Sequence, residues 1–172
     1  WISILECRNG ISFSDPIVNI FTPTNFSIPI FCMVHSAMFL SAFFNLIFPK
    51  ELLKAFQAYS ILLILRTLFI YVIPLEPPIG MLYLNDPLTG LFLNNINIVT
   101  KDLFFSGHIS AMCVFIYFSQ NKYWRKWLIL ITPILAILLL WQHVHYTLDI
   151  IAAPIFAILC CKFINSLNSR WL

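Results

Sequence analysis

The chain has 172 residues, of which 60% are hydrophobic and 10% charged, and its mean hydropathy is +0.89. Soluble domains carry about 25% charged and 45–50% apolar residues, so a water-soluble fold of this length could not hide so much apolar surface. The net charge of +3 comes from ten scattered cations with no basic stripe, which excludes a nucleic-acid binder, and the hydrophobicity excludes a disordered chain. An integral membrane protein remains.

The first 26 residues form a mixed lead-in containing Asp15, Pro16 and Pro23. Five apolar runs follow, over about 27–48, 52–73, 106–118, 127–141 and 146–164. The predicted fold is therefore an all-α integral membrane protein, a bundle of about five transmembrane helices in one membrane domain spanning 1–172. The third and fourth runs are short for a bilayer of about 30 Å, so their ends are open to extension. Pro133 and Pro154 lie inside the last two runs, where neighbouring helices can re-satisfy the freed carbonyls.

The loops alternate in charge. One side holds Lys50, Lys54, Lys122, Arg125, Lys126, Lys162 and Arg170, whereas the other holds only Arg8 and Lys101 among cations, with Glu6, Asp15, Glu76, Asp86 and Asp102. The positive-inside rule assigns the first side to the cytoplasm. The segment 74–105 is then a long non-cytoplasmic loop, half apolar. Two readings are open for it: a membrane-lying cover over a site, or a plain linker.

The five cysteines (Cys7, Cys32, Cys113, Cys160 and Cys161) contain no C-x-x-C pair and read as small buried hydrophobes. Trp124, Trp127, Trp141 and Trp171 sit near predicted span ends, like an interfacial belt.

The costly polar residues gather on the non-cytoplasmic side. Ser106-Gly107-His108 opens the third span, His143-Val144-His145 precedes the fifth, and Asp149 lies one turn into it. His145 and Asp149 share a helix face at i,i+4, where a carboxylate can orient an imidazole. A structural tether is the competing reading. Ser106 suits an N-cap, Gly107 permits close approach of a ligand, and a helix start attracts anions such as phosphate. A histidine there can protonate a leaving alcohol. Arg66, inside the second span, fits a phosphate or carboxylate; pairing with Glu76 or an Asp, or snorkelling, competes. His35 lies mid-span without an acidic neighbour in the chain and reads as a hydrogen-bonded core histidine. His143, His145 and Asp149 could also ligate a metal, but no third strong ligand stands nearby.

Asp102 to His108 (DLFFSGH) together with His143 to Asp149 (HVHYTLD) resembles the sphingomyelin-synthase-like branch of the type 2 phosphatidic acid phosphatase (PAP2) superfamily. Arg66 followed by Pro74-Leu75-Glu76-Pro77-Pro78 resembles a looser upstream region of that branch. The resemblance covers about 66–153. It implies a six-helix bundle and two-step transfer or hydrolysis of a phosphoryl or phospho-head-group on a phospholipid or sphingolipid-type substrate. His145 would be the nucleophile, Asp149 its orienting partner and His108 the acid, on the non-cytoplasmic face, with neither metal nor cofactor.

Departures are visible too. Only five spans are legible, so the family's first helix is absent or lies before Trp1. The Lys-x6-Arg-Pro motif of the phosphatase branch has no match, and Leu139 stands where that branch carries an arginine. Arg66, Lys101 and His143, with Ser106 and Gly107, are the candidates for holding phosphate. The alternatives are a plain lipid phosphate phosphatase and, from another class, a non-catalytic scaffold or transporter-like protein. A transporter needs polar groups continuing across the midplane, and the run after Asp149, IIAAPIFAILCC, offers none.

Overall fold

The structure, a computed structural model, describes residues 8–12, 14–86 and 100–171. The middle of the 74–105 loop and Cys7 lie outside the described residues. Five helices follow in order: α1 (Ser27–Asn45), α2 (Pro49–Val72), α3 (Gly107–Phe118), α4 (Lys122–Trp141) and α5 (Thr147–Trp171). A short 3-10 turn at Val18–Ile20 precedes them. All but α3 are long and apolar enough to cross a membrane. Among the described residues there is no strand, only an isolated parallel bridge between Ile11 and Leu75. The expected all-α membrane fold is thus observed.

Helix ends differ from the apolar runs for a simple reason. The fourth helix starts at Lys122, five residues before its apolar run, because the Asn121 side chain accepts the amides of Tyr123 and Trp124. The charged first turn therefore continues the same helix. Pro133 and Pro154 are accommodated without ending α4 or α5. The third helix does not extend beyond its apolar run and has 12 residues.

That short helix is the hub, and it packs against all four others. On α5, Ala153, Ala157 and Cys161 recur every fourth residue and are fully buried, which lets neighbouring backbones approach closely. Leu62, Met112, Leu128 and Leu135 fill the rest of the centre. Phe39, Phe43, Phe56, Ile64, Leu130 and Leu159 point outward, as a lipid-facing surface requires. Trp124 departs from the interfacial reading: it is buried, stacks on Trp127 at 4.5 Å and donates its Nε1–H to Ser41 Oγ.

The two ends of the bundle are distinct. At one, Lys54 binds Glu51 and Asn165, Gln57 accepts from Asn168, and the turn between α3 and α4 meets Asn45. The lead-in, the 74–86 segment, the start of α3 and the α4–α5 turn meet at the other. There Ile11 pairs with Pro74 and Glu76 through backbone bonds of 2.9 and 3.1 Å.

Candidate active site

The α4–α5 turn is held from two directions. Gln142 is fully buried: its Nε2 donates to Ser27 Oγ and to the carbonyls of Leu82 and Tyr83, and its Oε1 accepts the Phe26 amide. His143 takes a left-handed backbone conformation, φ 58°. Its ring nitrogens face the carbonyls of Ile79 at 2.8 Å and Phe21 at 3.0 Å. Either ring nitrogen can donate to the carbonyl it faces. His143 thereby ties lead-in and loop to the turn that presents His145.

Two carboxylates fix the start of α5. Asp149 reaches back to accept the Tyr146 amide at 2.9 Å, the side-chain half of a capping box. Asp15, from the lead-in, accepts the Thr147 amide at 2.6 Å and its hydroxyl at 3.0 Å. Burial pushes the Asp15 carboxyl up, but the Thr147 bonds and the amides of Val18 and Ile17 outweigh it and hold it below the usual aspartate value. Tyr146 is buried and donates its hydroxyl to the Glu76 carbonyl at 2.9 Å.

The start of α3 is set by Arg66. Its Nε donates to Phe105 O, its Nη1 meets the Asp102 carboxylate, and its Nη2 donates to Asp102 O. The guanidinium also lies against Gly107, where a Cβ would come within 3.4 Å of it. Pairing with an Asp, one of the two open readings of Arg66, is what occurs. Lys101 binds Glu76 at 2.8 Å and donates to Arg8 O. That ammonium and the Gly10 amide hold the Glu76 carboxyl below its ordinary value.

These supports bring the two motifs together. The Ser106 amide donates to the Asp149 backbone oxygen at 3.3 Å. The rings of His108 and His145 stand 6.4 Å apart, tilted by 67°. His145 Nδ1 lies 3.5 Å from Asp149 Oδ2, and both side chains are buried. This is ion-pair distance and too long for a formed hydrogen bond. Ser106 stands at the N-cap position but makes no side-chain cap. The expected capping role is corrected: its backbone oxygen accepts from Ser110, while its hydroxyl is buried without a partner.

Among the described residues, four buried side-chain polar atoms lack a hydrogen-bond partner: Ser106 Oγ, His108 Nδ1, His145 Nδ1 and Asp149 Oδ1. All four belong to this one cluster. Buried polar groups are otherwise satisfied in folded proteins, so this concentration singles the cluster out as the candidate site.

Sequence reading missed Asp15, Gln142 and Asp86. Asp15 lay in a segment without periodicity. Gln142 stood beside His143 at the end of an apolar run, a polar residue in an expensive place, and that signal was available. His35 has an acidic neighbour after all, Asp86 at 3.8 Å, delivered by the loop.

Residues 101–167 match the family model described as PAP2 superfamily C-terminal. No curated protein and no solved structure matches the chain. The matched segment contains α3, α4 and most of α5, with both histidine motifs, and over these residues the chain is similar to that superfamily.

Proposed function

We propose that the protein is a membrane-embedded enzyme that transfers or hydrolyses a lipid phosphate ester by a two-step route, in the manner of the sphingomyelin-synthase-like branch. His145 attacks phosphorus, a nitrogen–phosphorus bond forms, and the bond to the leaving oxygen breaks. His108 gives that oxygen its proton. Water or a lipid alcohol then attacks, His108 takes the incoming proton, and the nitrogen–phosphorus bond breaks. Asp149 orients His145 and stabilises the imidazolium. The observation that carries the reading is the clustering of four unpartnered buried polar atoms on Ser106, His108, His145 and Asp149.

The anion is held by the first-turn amides of α3, which have no intrahelical partners. Arg66, Lys101 and His143 act on it through the loops they fix, since each is engaged by protein groups. The site faces away from the cytosol, because the cation-rich loops lie at the opposite end of the bundle.

The test is incubation of the purified protein with a panel of radiolabelled lipid phosphoesters, with and without a lipid alcohol. A phosphohistidine-type label is stable in alkali and lost in acid. It is expected in the wild type and absent from His145→Ala. Turnover retained by His145→Ala would overturn the nucleophile assignment.

A further inference from the structure

The helices α1, α2 and α3 form a cavity of about 140 Å³ between them, with walls that are almost entirely apolar. Its rim nearest the candidate site is set by Val34 on α1, Tyr59 on α2 and Ala111 on α3. None of the site's own residues lines it, yet each rim residue stands within two turns of one. Ala111 follows His108 by three residues, and Arg66 follows Tyr59 by seven. Val34 follows Phe31 by three, and the Phe31 ring lies 5.9 Å from that of His108. At 1.5 Å per residue the offsets are about 4.5 Å on α3 and α1 and about 10 Å on α2. The opposite end lies at Asn45 and Phe118, near the far ends of α1 and α3. There the α3–α4 turn meets Asn45 through the Gln120 amide.

Water is a poor occupant. Of the polar groups on the wall, Ser41 Oγ accepts the Trp124 Nε1–H at 2.9 Å, and Asn45 Oδ1 accepts the Gln120 amide at 3.4 Å. Tyr59 adds one further hydroxyl. A held water needs about 2–4 polar partners, and an apolar cavity of about 150 Å³ stays dry and takes a guest the size of benzene. The surroundings say what the guest is. Met38 and Phe56 line the cavity and also stand exposed on the lipid-facing surface. The mouth therefore opens between α1 and α2 in the hydrocarbon layer, where alkyl chains are what reaches it.

We propose that this cavity is a chain-binding slot, entered sideways from the bilayer, that seats one alkyl chain of the lipid whose phosphate lies at His108. Its volume suits a straight chain and excludes a methyl-branched one. That the chain belongs to a phosphate ester rests on the phosphotransfer reading above, whereas the slot's preference for a straight alkyl chain does not.

Photolabelling of the full chain in detergent with hexadecyl phosphate carrying a mid-chain diazirine tests the slot without turnover. Cross-links are expected at Met38 and Phe115. Unlabelled hexadecyl phosphate should compete about tenfold better than its methyl-branched phytanyl counterpart, the scale of discrimination that an apolar pocket supports. Ala42→Leu combined with Ala55→Leu fills the slot away from the reacting centre and should cut this labelling about tenfold. Phe115→Ala widens it and should bring the branched competitor to within about twofold of the straight one. In turnover, the filled variant should raise KM for hexadecyl phosphate and leave KM for butyl phosphate unchanged. Labelling confined to outward residues such as Phe43 and Leu130 overturns the proposal. So does equal competition by the two chains in the wild type, or slot labelling and chain preference that neither filling nor widening alters. Where the filled variant does not fold, the response of Phe115→Ala decides alone. Slot labelling with the straight-chain preference, in a protein that turns over no phosphoester, refutes the phosphotransfer reading and leaves the slot standing.

Discussion

Arg66 holds Asp102 by both side chain and backbone: Nη1 lies 2.7 Å from Asp102 Oδ1, and Nη2 donates to Asp102 O at 3.0 Å. With Nε on the Phe105 carbonyl, the planar fork pins both ends of the turn that delivers Ser106, Gly107 and His108. A lysine offers a point charge in place of a fork and cannot make all three contacts. Arg66→Lys is therefore expected to lower kcat by about 10²-fold, the scale on which small misplacements act. KM should change little. Asp102→Asn keeps the two carbonyl contacts and should cost less. Steady-state kinetics of both variants decide the matter: a large rise in KM for Arg66→Lys, with Asp102→Asn harmless, would make Arg66 a direct phosphate ligand instead.

Asp15 predicts an acid limit to stability. Its carboxyl is held below the ordinary aspartate value by Thr147, Val18 and Ile17. A carboxyl depressed in the folded state stabilises fully above its unfolded value, near 3.8, and that contribution is lost as pH falls through the lower folded value. Asp15→Asn should cost about 1 kcal/mol at neutral pH, typical of a lost helix cap. Its stability should also vary less with pH below about 4. Thermal unfolding of the detergent-solubilised protein across pH 2–7 (about the window set by model aspartate values) reads both effects. A variant as acid-sensitive as the wild type would remove Asp15 from this role.

Helix existence was legible because the bilayer imposes a length and a composition, and the chain obeys both. Motif pairing was legible because His145 and Asp149 sit four apart, and because loop parity put Ser106-Gly107-His108 at the same end. What escaped the sequence is long-range polar pairing. Asp15 meets Thr147 across 132 positions, and Gln142 meets Ser27 across 115. No period or spacing encodes such contacts; they arise only once five helices bring distant loops to one end. The Ser106 hydroxyl illustrates the reverse: its local rule predicts a cap, and the site overrides it.

Gly10 tests how far the lead-in supports the site. A Cβ there would lie 2.8 Å from Glu76 N and from Leu75 C, both backbone atoms that cannot step aside cheaply. Gly10→Ala should therefore displace the Ile11–Leu75 bridge and loosen Glu76, whose carbonyl accepts from Tyr146. An overpacking cost of about 1–3 kcal/mol is expected. Limited proteolysis near Arg8 should become faster than in the wild type. Unchanged protection would mean that the lead-in docks through other contacts.

His108 gives the most discriminating prediction. If it protonates the departing oxygen, its importance scales with how badly that oxygen needs a proton. An alkoxide is a poor leaving group, whereas a nitrophenolate leaves without help. His108→Ala should thus lose about 10²–10⁴-fold on an alkyl phosphate, the usual span for general acid catalysis. On an aryl phosphate of low leaving-group pKa the first step should lose far less. The second step still needs a base, so phosphoenzyme should accumulate in His108→Ala with the aryl substrate and turn over slowly. Asp149→Asn should behave differently. It leaves the acid in place but disorders the nucleophile, so both substrates should suffer alike, by up to about 10⁴-fold on the analogy of a triad aspartate. Rapid-quench measurement of burst and steady state on both substrates separates the two roles. Equal losses for His108→Ala on alkyl and aryl phosphates would show that His108 is not the acid, and a burst no larger than in the wild type would show that it is not the second-step base.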